Sequence, residues 1–289
     1  MTLSLYAVLI GPFEGFSFMR IALVACLALA LANGPLGILL LLRRMALDGD
    51  VLSHAVMPGA ALGFVYTLHT SLLALSLGGL ASGTVVAGLT GLLGRNRPVR
   101  HDAGLVAFYL VTLALGVTLV AFFGSNVDTV RVLFGTVLAI DARALLQIAV
   151  VSTVTMLLLA LLYRPLAVDS FDPVFLRMVG GRGMRGLFVI LVLLNLVVSF
   201  QAFGTLLAIG PMLLPAAAAR CWTQRPGIMV ALASAVGMLS SYVGLLLSYH
   251  RNLPSGPAIV MAAGAIYGAS LLAASARALI RTRTTGNDP

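Results

Sequence analysis

The chain has 289 residues, 60% of them hydrophobic and 9% charged, with a formal net charge of +9 and a mean hydropathy of +1.07. Soluble chains carry roughly 25% charged residues, so this composition excludes a soluble enzyme and places the chain in lipid. All eighteen basic residues are arginine, and without lysine there is no P-loop lysine, Schiff base or Ser-Lys dyad, so any ATP has to be handled by another protein.

A bilayer-spanning helix needs about 20 apolar residues. In chain order the apolar segments fall at 18–42, 51–68, 71–93, 104–123, 144–163, 186–203, 204–219, 227–249 and 257–276. The fold class expected is all-α, a polytopic integral membrane protein with 8–9 transmembrane helices. It forms a single transmembrane domain over 1–281, followed by a short tail at 282–289. The first segment is broken at Asn33-Gly34-Pro35, where proline removes a backbone donor and kinks the helix. Asn33 can therefore border a pathway.

The second segment opens with GDVLSHAVMPG (49–59), in which Asp50 and His54 stand four apart, with Ser53 beside them. On a helix both side chains project from one face. A carboxylate and an imidazole suit zinc, manganese or ferrous iron, but the same pair is also an N-terminal carboxylate favoured by the helix dipole beside a histidine satisfied by a neighbouring carbonyl. Only about 9 Å of helix separates Arg44 from Asp50. Either the arginines sit deeper than a surface loop or the helix enters through a cavity. Gly59 and Gly63, like Gly264 and Gly268 in the last segment, have the spacing of close helix contacts.

Charge is absent from Gly186 to Ala219, too long a run for one span and barely enough for two. Gln201, Gly204, Pro211 and Pro215 lie inside it, which predicts two short or broken helices of the kind that line transport pathways. Gln201 is a candidate pathway or gating residue. With the N-terminus outside, fourteen of the eighteen arginines fall on the inside, as cytoplasmic loops require. The net charge is thus a topology signal, and no nucleic-acid partner is expected. The inside loop 164–185 starts a short helix at Asp172-Pro173, runs through Phe175 and stops at Gly180-Gly181, the form of a docking element for a cytoplasmic partner. Cys26 and Cys221 read as packing residues, and Glu14, the only glutamate, has no histidine beside it, which excludes HExxH.

These blocks resemble the permease subunits of bacterial ABC transporters for zinc, manganese and iron. The resemblance rests on GPLGILLLLRRMALDGDVLSHAVMPGAALG (34–63), VLFGTVLAI (132–140), FDPVFLRMVGGRG (171–183), QAFGTLLAIGPMLLPAAAAR (201–220) and LPSGPAIVM (253–261). It implies a homodimeric pore in the bacterial inner membrane, two cytoplasmic ABC ATPase subunits carrying the ATP, and an extracytoplasmic metal-binding protein. It also implies that Asp50 and His54 touch the metal in transit, and that Asp172, Pro173, Phe175, Gly180 and Gly181 contact the ATPase. No permanently bound cofactor and no enzymatic activity of its own are implied. Gly210-Pro211 departs from the family pattern. The affinity order at an unselective site puts zinc ahead of manganese as the transported ion. The alternative is a proton-coupled secondary metal carrier in which Asp50 and His54 exchange protons; an intramembrane enzyme lacks a plausible set of polar residues.

Overall fold

A computed structural model describes residues 6, 9–66, 72–96, 101–123, 135, 137–171, 183–204 and 207–285. The described residues are helical apart from turns and connections: α1 Gly11–Gly15, α2 Ser17–Leu42, α3 Ala46–Tyr66, α4 Leu72–Asn96, α5 His101–Phe123, a 3-10 turn Val137–Ala139, α6 Ala142–Phe171, α7 Met184–Phe203, α8 Gly210–Arg220, α9 Pro226–Arg251 and α10 Ser255–Thr285.

Seven of these helices, α2, α4, α5, α6, α7, α9 and α10, are long and apolar enough to cross a membrane. Eight or nine spans were expected, and two segments account for the difference among the described residues. Helix α3 carries Asp48, Asp50 and His54, which lower its hydropathy, and α8 has only 11 residues. At 1.5 Å per residue α8 is about 16 Å long, half of a hydrocarbon core near 30 Å.

Burial separates the helices by role. In α2 and α7, 72% and 67% of the most apolar stretch is buried, against 17 to 22% in α4, α5 and α6. A helix apolar on every side can be covered by protein or lipid with little difference, so polar requirements decide the arrangement. The segment 51–60 of α3 is buried throughout. It is enclosed by α4, α5 and α7, while α2 packs on α6, α8 and α9, and α10 on α8 and α9. One core cluster joins Leu36, Leu40, Leu52, Met57, Leu193 and Met212, and a second joins Met19, Leu29, Val137, Ile148, Phe203 and Ile259.

Close backbone approach sets the α3–α4 contact. A Cβ at Gly59 would strike the Gly78 carbonyl, and one at Gly63 the Ala74 carbonyl. A Cβ at Gly264 or Gly268 would meet nothing within 4 Å among the described residues, so their spacing makes no close contact there.

Of the two short or broken helices expected between Gly186 and Ala219, α8 is short, whereas α7 is an unbroken helix of 20 residues. Gly204 ends α7 with φ 81°, a conformation that favours glycine, and Pro211 sits in the first turn of α8, where its missing N–H costs nothing. Pro211 therefore starts a helix here. Helix α6 continues through Phe171, into the loop expected from Arg164, and α10 reaches Thr285. Cys26 is buried in α2, and Cys221 donates to the Ala217 carbonyl.

Candidate functional site

Helix α2 ends in a reversal that delivers α3. The Arg44 N–H bonds the Leu41 carbonyl at 3.2 Å and the Met45 N–H bonds the Leu40 carbonyl at 3.0 Å, the paired bonds of a Schellman cap, with Arg44 at φ 56° where glycine is usual. The chain re-enters at once as α3, which explains how Asp50 lies so close to two arginines. Arg43 is no loop residue. Its Nη1 lies 2.9 Å from Asp169 Oδ2, with the two side chains 5% and 11% exposed. Its Nε donates to Ser170 Oγ and its Nη2 to the Leu166 carbonyl, both at 3.1 Å, and the guanidinium stands 4.1 Å from the centre of the Phe188 ring. The arginine sits deep, and α6 and α7 neutralise it.

Asp50 and His54 share a face of α3 as their spacing requires. His54 Nε2 lies 3.8 Å from Asp50 Oδ1, too long for a hydrogen bond. An ion bound at about 2.0–2.2 Å to each atom needs them about 3 to 3.5 Å apart, so a small side-chain movement would let both hold one ion. The histidine side chain is 5% exposed and the aspartate 44%, so the pair has one buried and one open member. Tyr109 of α5 holds the imidazole in a T-shaped contact, ring centroids 4.7 Å apart. Ser53 Oγ and His54 Nδ1 are buried without hydrogen-bond partners among the described residues. Pro58, one turn on, removes the N–H that would bond the His54 carbonyl. The Ser82 hydroxyl donates to the neighbouring Ala55 carbonyl at 2.7 Å.

Among the described residues no group of three or more His, Cys, Asp or Glu side chains surrounds a common point. Two donors alone would hold an ion weakly.

Asn33 and Gln201 belong to separate polar clusters. Asn33, fully buried on α2, donates from Nδ2 to Ser199 Oγ of α7 at 3.2 Å, and its Oδ1 has no partner among the described residues. Gln201 donates to Ser76 Oγ at 2.9 Å, and Gln147 donates to the same hydroxyl. Among the described residues neither cluster is hydrogen-bonded to Asp50 or His54. Asp172, Pro173, Phe175, Gly180 and Gly181 lie outside the described residues. Arg43 with Asp169, and Tyr109 with His54, were not singled out from sequence. A buried arginine and a tyrosine within an apolar run carry no local pattern that names their partners.

Comparison with known proteins adds a consistent set of likenesses. Residues 15–274 match the ABC 3 transport family. The manganese import system permease protein ScaB of Streptococcus parasanguinis is 32% identical over 260 residues, covering 89% of this chain and 91% of that protein. The manganese transport system membrane protein MntC of Listeria monocytogenes is 30% identical over 267 residues, covering 92% and 94%. The solved structure of PsaBC from Streptococcus pneumoniae in complex with Fab superposes with a TM-score of 0.83 at 28% identity, covering 92% of this chain and 95% of that one.

Proposed function

The chain belongs to the ABC 3 transport family, and we propose on that premise that it is the permease subunit of an ATP-binding-cassette importer that moves manganese into the cell. It is a multi-pass protein of the bacterial cell membrane. The observation that carries the proposal is the Asp50–His54 pair, at the start of a stretch of α3, 51–60, buried among other helices. Ionisable groups at such depth are expensive, and a substrate path explains the expense.

Manganese takes the place of the zinc favoured by the affinity order. That order says which ion an unselective site holds most tightly, whereas ligand type and metal availability choose in the cell. The donors here are carboxylate oxygen and imidazole nitrogen, with no thiolate at the pair, and the relatives above are named for manganese. Energy comes from a separate ABC ATPase subunit, since the chain has no lysine for a P-loop, and it has no enzymatic role of its own. An extracytoplasmic metal-binding protein delivers the ion, and two copies of the chain form the pore. Asp172, Pro173, Phe175, Gly180 and Gly181 form the ATPase contact. This assignment is supported by their sequence pattern and by their place between the ends of α6 and α7.

The test is manganese uptake into proteoliposomes holding the chain and its cognate ATPase. Uptake should need ATP, exceed zinc uptake and fail in His54→Ala and Asp50→Ala although both variants still co-purify with the ATPase. Uptake driven by a proton gradient without the ATPase, or normal uptake by both variants, would overturn the assignment.

A further inference from the structure

We propose that Arg43 is a positioning residue for transport, the link through which relative movement of α6 and α7 reaches the helix carrying Asp50 and His54; this rests on the importer function proposed above. Arg43 touches both helices at their facing ends. On α6 it engages Leu166, Asp169 and Ser170, all in the last two turns before Phe171. On α7 it lies over Phe188, in the second turn after Met184. Those two ends flank residues 172–182, so a force applied there acts first on the groups Arg43 holds.

At its other end Arg43 is the C-cap residue of α2, its own N–H bonded to the Leu39 carbonyl at 3.0 Å. The backbone reversal at Arg44 and Met45 follows without a spacer, the Gly49 N–H returns to the Met45 carbonyl at 3.0 Å, and Asp50 is next. Hydrogen-bonded backbone therefore joins the guanidinium's own residue to the aspartate, with no flexible linker to absorb a displacement. Asp48 and Arg185 line one small cavity with Met45 and Leu52, so the start of α7 also borders the start of α3.

A staple between two elements would need one partner for the arginine. This one has four partner residues on two helices, and its charge is held where water is scarce, a geometry that breaks only as a unit.

The experiment measures manganese uptake and ATP hydrolysis in the same proteoliposomes, with the chain and its ATPase assembled. In Arg43→Gln and Asp169→Asn, uptake per ATP should fall about tenfold while hydrolysis stays near the wild-type rate, the size of a typical coupling between sites. Arg43→Lys, which keeps the charge but loses the fork, should fall about threefold and fold even where the glutamine variant does not. A parallel loss of uptake and hydrolysis, with the ratio unchanged, assigns the ion pair to architecture and overturns the proposal, as does a wild-type ratio in all three variants. Absence of ATP-driven manganese uptake by the wild-type assembly overturns the importer function instead, so the two failures are distinguishable.

Discussion

The rings of His54 and Tyr109 stand nearly perpendicular, 87° between planes, with their centroids 4.7 Å apart. Tyr109 belongs to α5 and packs with Phe108 against Val51, Ala55, Val86 and Leu105, so the imidazole is braced by a wall that α3 does not supply itself. Aromatic contacts of this kind contribute about 0.5–1.5 kcal/mol beyond the area they bury.

Tyr109→Phe keeps the ring and should leave manganese uptake near the wild-type rate. Tyr109→Ala lets the imidazole turn, and should raise the half-saturating manganese concentration about tenfold, the effect typical of losing a group that orients a metal ligand. Equal half-saturation in the two variants would show that the ring does not orient the histidine.

Glycine spacing separates two otherwise similar motifs. Gly59→Leu places a side chain into the Gly78 carbonyl and should destabilise the bundle by about 1–3 kcal/mol, the cost of overpacking. Gly264→Ala meets open space and should stabilise α10 by roughly 0.5–1 kcal/mol through helix propensity. Thermal unfolding of both variants in detergent gives the comparison; an upward shift for Gly59→Leu would remove the close-contact role.

Asn33 and Ser199 tie the two most buried helices together. Asn33→Ala should cost about 1–2 kcal/mol, and Ser199→Ala added to it little more, because the second residue has already lost its partner. Additive losses in that double-mutant cycle would show that the bond contributes nothing as a pair.

The sequence announced what depends on local chemistry. The one-face pairing of Asp50 with His54 follows from helical period and the end of α7 from the boundary at Gly204, whereas the next helix, expected from 204, starts only at Gly210. The span count was less legible, because an apolar segment is recognised one at a time whereas α3 tolerates its polar residues only through α4, α5 and α7. Arg43 illustrates the same limit. In a list of arginines it marks a loop, and only the folded chain brings Asp169 and Ser170 from the far end of α6 to neutralise it. Tyr109 looked like one more apolar residue until α5 was laid beside α3.

The brevity of α8 leaves backbone beside it outside any helix. Its 11 residues lie beside the C-terminal half of α2, where the Met212 carbonyl crowds Gly37 and Ala216 and Ala219 pack on Ile38. A full-length helix would line that position with spent hydrogen bonds from one face to the other. Here the neighbouring stretch includes Gly204 and the turn at 207–209, whose backbone dipoles are not all turned inward on a helix axis. Lipid offers such groups no hydrogen-bond partner, so α2, α9 and α10, which pack on α8, have to keep lipid away from this side of the bundle.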